Sequence, residues 1–273
     1  MPELPEVETT KRGIAPHLLG QRILATHVYQ PKLRWPVDHD LAQSLLNQAA
    51  INIERRAKYI LIHFGHGSLI VHLGMSGSLR LVERSTPRLK HDHIEWELAN
   101  GLNLRLHDPR RFGAVLWTAA PTENHPLLTQ LGIEPLDAAF SGERLYALLH
   151  ARKTAVKPAL MNARLVVGIG NIYANEALFL AGIDPRRACN TLSLDDCTSL
   201  VGHIKNLLEQ SILQGGTTLR DFISPEGRPG YFQQTLNVYG RSGEPCRVCS
   251  APIEYLTQAQ RRSFYCPVCQ APE

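Results

Sequence analysis

The chain opens with the stretch Met1-Pro2-Glu3-Leu4-Pro5-Glu6-Val7-Glu8, and the residues that follow continue a helical pattern. Acids lie in the first turn and bases in the last turn, and Pro5 is acceptable at a helix start. If Met1 is removed, the chain begins with the secondary amine of Pro2. An α-amino group with a pKa of about 7.7 to 8.0 is partly unprotonated at neutral pH and can act as a nucleophile. Glu3 is adjacent as a candidate proton donor. A frayed terminus before an ordinary helix would have the same sequence.

Composition sets wider limits. The 273 residues include 29 Lys and Arg and 25 Asp and Glu, for a net charge of +4. That balance is compatible with a polyanionic partner but does not require one. No apolar run approaches the ~20 residues that span a membrane, and a secretory signal pattern is missing. We expect a cytoplasmic protein with no membrane partner.

Short apolar runs after the opening helix predict β-strands. They are separated by glycine-containing turns, a pattern typical of a sandwich or barrel. The runs extend from residue 22 to about residue 117, and examples are residues 23–29, 59–64, 68–73, 93–98 and 114–117, with a helix predicted over residues 41–51.

The pattern becomes helical after residue 132. Helices are predicted over residues 141–150, 154–161, 171–181 and 193–214, followed by a Pro- and Gly-rich loop over 217–234. Gly168 and Gly170 directly precede the helix that starts at Asn171. The free N–H groups of a helix start bind phosphate, although glycine-rich helix starts are common and the signal alone is weak.

Four of the six cysteines form two C-x₂-C pairs near the end of the chain: Cys246 with Cys249, and Cys266 with Cys269. Sixteen residues separate the pairs. This spacing predicts one tetrahedral zinc ion, and four protein ligands leave no open position, so the zinc is structural. Cys189 and Cys197 stand apart, and we expect them to be reduced and inert.

Several polar or exposed residues allow two interpretations. Lys58 precedes a strand, where a solvated strand-edge lysine is the default. Met75, Arg110 and Phe112 lie on turns, where an apolar side chain ordinarily packs inward but an exposed one can wedge between DNA bases. His91 lacks a compatible set of further metal ligands.

Taken together, the opening octet and later motifs resemble the formamidopyrimidine-DNA glycosylases. These bacterial enzymes remove oxidised purines such as 8-oxoguanine from DNA. The further motifs are Lys58-Tyr59, His72-Leu73-Gly74-Met75-Ser76-Gly77, Asp108-Pro109-Arg110-Arg111-Phe112-Gly113, Gly168-Ile169-Gly170-Asn171-Ile172-Tyr173 and the C-terminal cysteines. Their common order along nearly the whole chain makes a chance match improbable.

The resemblance implies a catalytic set. The Pro2 nitrogen attacks C1′ of a flipped nucleotide, and Glu3 donates a proton that helps to open the sugar. Lys58 assists elimination and contacts phosphate. Arg261 binds phosphates around the lesion and aids the second elimination, although Arg262 beside it leaves the division of roles open. Glu6 orders water or the base in the pocket.

The resemblance also implies a set of DNA contacts. His91 touches DNA, and the loop over 221–230 covers the flipped base, although an ordinary linker would have the same composition. The gap left by the flipped nucleotide is filled by Met75, Arg110 and Phe112. Backbone phosphates are held within a helix-two-turn-helix motif by Asn171, Arg152 and Lys157.

We therefore predict an α+β multidomain protein. Its parts are an N-terminal β-sandwich flanked by helices (1–131), a helix-two-turn-helix module (132–222), the end of the lesion loop with a linker (223–237) and a zinc finger with a β-hairpin (238–273). The predicted partner is double-stranded DNA with oxidised purines or abasic sites. We expect a monomer with one structural zinc and no redox or nucleotide cofactor.

Two other functions remain open at this point. An endonuclease VIII-like enzyme shares the architecture but prefers oxidised pyrimidines. Leu4, the Met75, Arg110 and Phe112 set and the loop over 225–230 favour the purine enzyme. A non-catalytic zinc-ribbon protein that binds DNA is the more distant alternative.

Overall fold

The structure, a computed structural model, describes residues 2–215 and 236–271. It contains two compact units, one formed by residues 2–129 and the other by residues 130–213 together with 236–271. Each unit is described below by itself. The loop predicted over residues 217–234 lies entirely outside the described residues. The four-part division of the chain stays a prediction.

The first unit begins with helix α1, Leu4–Leu18. It extends beyond both ends of the helix that the opening pattern predicts over residues 6–14, and Pro16 is accommodated in its last turn. Leu4, Val7, Ile14 and Leu18 are each at most 1% exposed and form its buried face. Spacings of three, seven and four residues place these side chains on one face of a helix, as an amphipathic helix needs to cover a core.

Eight strands follow in two antiparallel sheets. The first sheet has the order β1-β6-β7-β5 and the second β2-β3-β4-β8. The strands are β1 Ile23–Val28, β2 Asn52–Arg56, β3 Tyr59–Phe64, β4 Gly67–His72, β5 Ser78–Glu83, β6 Asp92–Leu98, β7 Leu102–His107 and β8 Ala114–Thr118. Helix α1 contacts β2, β3 and β5.

Alternate residues of the strands supply one apolar core. Ile60, Ile62 and Phe64 of β3 belong to it, as do Trp96 and Leu104, which pair across β6 and β7. Burying such a side chain contributes about 1.5 to 3 kcal/mol, which stabilises the sandwich against the entropy of ordering it.

One prediction about local structure in this unit is corrected, and three strands are added to the examples given above. The helix predicted over residues 41–51 is wrong beyond α2, Leu41–Leu45. Asn47 adopts a positive φ of 58° and its N–H donates to Ile23 O, so the chain turns back to β1. The strands β2, β5 and β7 have no counterpart among the predicted ones. In β7, Arg105 and other polar residues alternate with leucines and dilute the apolar run.

The second unit is helical. Its helices are α3 Gly142–Leu149, α4 Val156–Leu160, α5 Asn171–Leu180 and α6 Leu194–Leu213, which agree closely with the predicted ones. Ser193 Oγ accepts from Asp196 N–H at 3.0 Å, which confirms the predicted N-cap of α6. Helix α6 packs on α3 and α5. A Cβ at Gly142 would lie 2.1 Å from Thr198 Oγ1, so only glycine allows α3 to approach α6 so closely.

The second unit ends in a β-hairpin. Strands β9, Glu254–Gln258, and β10, Arg261–Tyr265, are joined by Ala259 and Gln260, which both have positive φ angles (46° and 62°). A sandwich, a helical module and a terminal hairpin with its cysteines confirm the predicted α+β class. Among the described residues, no helix combines the length and apolar character needed to cross a membrane.

Candidate active site

The residues that start α1 are held in place. Pro2 is buried, and Glu3, the N-cap residue, is 2% exposed. The Glu3 N–H donates to Glu6 Oε2 at 2.7 Å, and Val7 N–H donates to Glu3 O at 3.1 Å. A glutamate at the third helical position commonly caps a helix start in this way. From Pro2 onwards the chain is therefore fixed rather than frayed, and Glu6 positions Glu3.

Lys58 lies in the turn between β2 and β3. It is half-buried and follows Ala57, which is 3% exposed and adopts a positive φ of 55°. Left-handed backbone is unusual for a residue with a Cβ and often occurs at functional positions. An Arg55 terminal nitrogen (NH1) donates to Ala57 O at 3.0 Å. Lys58 is thus presented by a supported turn, unlike a solvated strand-edge lysine.

His72 faces Tyr59 across β3 and β4, with 5.0 Å between the ring centroids. Its pKa is lowered to about 4, first by burial and then by the positive charges of Arg34 and Lys58. Its Nδ1 accepts from Gly74 N–H at 3.0 Å. Only the unprotonated nitrogen can accept this bond, so neutral His72 holds the turn that carries Met75.

This geometry predicts a pH dependence of stability. Between about pH 6.5 and pH 4, an unfolded histidine binds a proton that folded His72 does not. The free energy of unfolding should therefore fall as the pH falls through that window, by at most about 1.4 kcal/mol per pH unit from this residue. His72→Asn keeps an acceptor at the same place but does not titrate, so it should remove this contribution. Urea unfolding at several pH values measures it, and a slope unchanged from wild type would contradict the assignment.

Met75, Arg110 and Phe112 lie on adjacent turns, which sequence alone could not establish. A Cβ at Gly74, whose φ is 68°, would lie 2.4 Å from the backbone carbonyl carbon of Phe112. The Arg110 guanidinium lies 5.0 Å from the Phe112 ring centroid. Met75 is 36% exposed and Phe112 44% exposed. The turns thus present two apolar side chains and one guanidinium side by side.

His91 lies at the base of the Arg110 turn. Its carbonyl accepts from Asp108 N–H at 3.0 Å, and the Asp108 carboxylate accepts from Gly113 N–H at 2.7 Å. Burial raises the pKa of Asp108. The His91 and His107 rings are 5.9 Å apart. These contacts join the His91 backbone to the start of the turn that carries Arg110 and Phe112.

The four predicted zinc ligands converge. The sulfur atoms all lie within 4.8 Å of one another, with 3.9 Å between Cys246 and Cys269 and 3.4 Å between Cys249 and Cys266. Zn–S bonds of about 2.3 Å in a tetrahedron place sulfur atoms about 3.8 Å apart, so the cluster fits one zinc ion. The N–H groups of Val248 and Cys269 donate to the sulfurs of Cys246 and Cys266, both at 3.4 Å.

A second cluster of metal-ligand atoms is better explained by ion pairs. His27, Glu95 and Glu97 lie on β1 and β6 within 4.8 Å of one another. Glu95 is bonded to Arg105, and Glu97 lies 3.7 Å from Arg84. Since the arginines already compensate the acids, we assign no metal here.

Lys157 and Asn171 meet at the C-terminal hairpin. Lys157 Nζ donates to Arg262 O at 2.9 Å and to Ser263 Oγ at 2.8 Å, and Asn171 Nδ2 donates to Arg262 O at 3.1 Å. Lys157 is only 1% exposed. Both side chains therefore support strand β10. Arg152 is exposed, and its Nε donates to Leu148 O at 2.9 Å.

Arg261 and Arg262 differ in their surroundings. Arg261 is exposed and follows the hairpin turn directly. The Arg262 guanidinium lies 4.9 Å from the centroid of the Tyr255 ring. Arg262 is thus engaged by its own hairpin, which favours Arg261 as the residue available to a ligand.

Three buried polar residues that sequence reasoning missed also hold the hairpin. Glu176, 1% exposed, accepts from the N–H groups of residues 237–239 at 2.7 to 2.9 Å and from Asn237 Nδ2 at 3.0 Å. Asn175 Oδ1 accepts from Phe264 N–H at 2.7 Å, and Gln270 Nε2 donates to Ile183 O at 2.7 Å. In the sequence, the one available signal was a polar pair, Asn175-Glu176, inside an otherwise apolar helix.

Three family models match the chain and together cover most of it. They are the formamidopyrimidine-DNA glycosylase N-terminal domain over residues 1–115, the H2TH domain of the same enzymes over residues 131–223, and a zinc finger found in FPG and IleRS over residues 243–272. Two relatives named formamidopyrimidine-DNA glycosylase are 54% identical (Methylococcus capsulatus) and 56% identical (Pseudomonas entomophila). Each alignment covers 99% of this chain and all of the relative.

Solved structures agree. The MutM (Fpg) protein of Thermus thermophilus is 34% identical, with a TM-score of 0.89 over the full length of both chains. The wild-type Lactococcus lactis Fpg, solved in complex with DNA containing N7-benzyl-Fapy-dG, has a TM-score of 0.92 at 34% identity, over 99% of this chain and all of that one. The resemblance drawn from the motifs is confirmed, and the chain belongs to the formamidopyrimidine-DNA glycosylase family.

Proposed function

We propose that this protein is a DNA glycosylase of base excision repair that removes oxidised purines from duplex DNA and then cleaves the strand. The observation that carries the proposal is the buried, hydrogen-bonded start of α1, where Pro2 and Glu3 are held next to each other. The names of the relatives support the glycosylase activity. Solved relatives in complex with Fapy-dG DNA and with abasic-site DNA support the class of substrate.

The chemistry needs the Pro2 nitrogen as a free secondary amine. It attacks C1′ of the flipped nucleotide, the base departs with the glycosidic electron pair and takes up the proton that the amine loses, and Glu3 protonates O4′ as the sugar ring opens. The product is an iminium between Pro2 and C1′, whose positive charge acidifies the neighbouring sugar carbon. Loss of that proton allows β-elimination and then δ-elimination, which break the two flanking phosphodiesters. The positive end of α1 disfavours an ammonium at Pro2 and so favours the reactive amine.

Lys58 and Arg261 complete the proposed catalytic set. Lys58 carries its charge on the supported turn before β3 and would assist elimination while contacting a phosphate. Arg261, exposed at the tip of the hairpin, would bind phosphates around the lesion and aid the second elimination. Glu6 would act by fixing Glu3 and by ordering the pocket.

The adjacent turns support a role in holding the flipped state. Met75 and Phe112 offer apolar surface that can replace lost stacking, and Arg110 offers several donors to the orphaned base. His91, at the base of the same turn, would contact the DNA nearby. Arg152 and Asn171 would hold phosphates. Lys157 would hold a phosphate together with them, from a side chain that also supports the hairpin through Arg262 O and Ser263 Oγ.

A paired incision assay tests the function. We expect the zinc-loaded protein to nick a duplex with one 8-oxoguanine faster than the same duplex with one thymine glycol. The reason is that the family is named for formamidopyrimidines, which are ring-opened purines. Preference for thymine glycol would instead assign the protein to the oxidised-pyrimidine enzymes. Binding without incision of either duplex would identify a non-catalytic DNA-binding protein.

A further inference from the structure

We propose that Arg55 is a positioning residue for Lys58, and that it ties the Lys58 turn to helix α1 through Glu8. The inference rests on the proposed function, because it assigns a purpose to the placing of a lysine that acts in elimination.

One guanidinium makes both contacts. Arg55 Nε donates to Glu8 Oε2 at 3.1 Å, and Nη1 of the same side chain donates to Ala57 O at 3.0 Å. The Arg55 and Glu8 side chains are 10% and 9% exposed. Because a guanidinium is planar, fixing two of its nitrogens fixes its plane, and with it the carbonyl that it holds. A lysine ammonium could not span both acceptors with the same geometry.

The carbonyl in question belongs to the peptide that leads into Lys58. Ala57 is in left-handed backbone at φ 55°, a conformation that an L-residue adopts only when its surroundings impose it. The hairpin around it is closed by the pair Arg56 and Tyr59, so only Ala57 and Lys58 lie in the turn. The hydrogen bond from Arg55 therefore acts on the one peptide whose rotation would swing Lys58 away.

The other end of the link is the helix that carries the reacting terminus. Glu8 lies in α1, five residues after Glu3, and an α-helix is stiff along its axis. Lys11 Nζ and Arg12 Nε also bind Glu8, both at 2.8 Å to Oε1. These two residues belong to α1 itself. Arg55, by contrast, comes from the strand before the Lys58 turn.

The test compares two arginines that share Glu8. Arg55→Lys keeps the positive charge but loses the planar group whose two nitrogens bind Glu8 and Ala57. We expect it to slow cleavage of a preformed abasic site about ten- to a hundredfold at saturating DNA, which is the size of effect that a small misplacement causes. The Kd for an uncleavable duplex should stay close to wild type. Arg12→Lys changes the exposed partner of the same carboxylate (side chain 59% exposed) and should leave the rate close to wild type.

A double-mutant cycle separates positioning from general stability. If Arg55 acts through Lys58, Arg55→Lys should cause little further loss in a Lys58→Ala background. Independent, multiplying losses would overturn the proposal, as would a normal rate in Arg55→Lys. Should Arg55→Lys fold poorly, Glu8→Gln keeps an acceptor for Arg55 without the charge and should show a smaller loss of the same kind. Cleavage by the wild type is measured first. A wild type that does not cleave the abasic site would contradict the proposed function, whereas the variants test the role of Arg55.

Discussion

Adding one residue before Pro2 is expected to abolish both base excision and trapping of a covalent complex by borohydride. The extension turns the secondary amine into an amide, whose lone pair is delocalised and cannot attack C1′. DNA affinity should be largely retained, because the proposed DNA contacts lie elsewhere. Single-turnover incision of an 8-oxoguanine duplex, with the trapped peptide identified by mass, measures the effect. Wild-type trapping should be at the N-terminal peptide.

Glu3→Gln is the matched control for this experiment. It keeps the nucleophile and removes the proton donor, so base removal should fall by about a hundred- to ten-thousandfold, the usual contribution of a general acid. Cleavage of a preformed abasic site should fall much less, since no base must be expelled. If an extended protein excises 8-oxoguanine at the normal rate, the nucleophile is not Pro2, and Lys58 is the first residue to examine.

Cys249→Ser is expected to release the zinc and unfold the C-terminal hairpin. The apolar cluster around the cysteines is small, and its buried members are Phe179, Val238, Cys246, Ile253, Phe264 and Cys266. Zinc binding in small domains of this kind contributes about 10 to 16 kcal/mol of apparent free energy, which so small a core cannot replace. In the variant, the zinc content should therefore fall and the Kd for duplex DNA should rise.

Cys197→Ala provides the comparison, because Cys197 is a fully buried thiol in α6 outside the zinc cluster. It removes a buried sulfur but should retain stoichiometric zinc and DNA binding. Full zinc occupancy with unchanged affinity in Cys249→Ser would show that this cysteine is not a ligand.

Local patterns were enough to predict much of this molecule. The spacing of Cys246, Cys249, Cys266 and Cys269 identified the metal site because zinc chemistry fixes the spacing of its ligands. The helices of the second unit carried their own start and stop signals, such as Ser193. The opening octet is different, because its local pattern is equally consistent with a frayed terminus, whereas in the structure Pro2 is buried and Glu3 is hydrogen-bonded.

Contacts between distant residues could not be predicted in this way. Nothing local to Lys157 indicates that its ammonium is buried against β10, since an isolated lysine in sequence is usually solvated. Arg55 and Glu8 are 47 positions apart, and either would normally be assigned to the surface. The adjacency of Met75 and Phe112 depends on the packing of Gly74 against another turn. Such pairings depend on tertiary structure and leave no periodic signal.

The hydrogen bonds that the Glu176 carboxylate accepts from residues 237–239 have a consequence for protein engineering. A zinc hairpin excised just before Val238 and grafted onto another scaffold would lose the acceptor of its first N–H groups, and each buried donor left unsatisfied costs about 1 to 3 kcal/mol. Asn175 supplies a further acceptor from the same helix, to Phe264. The smallest portable form of this hairpin is therefore the ribbon together with α5. A transplant that carries both should fold with zinc, whereas in the ribbon alone residues 238 and 239 should remain unordered.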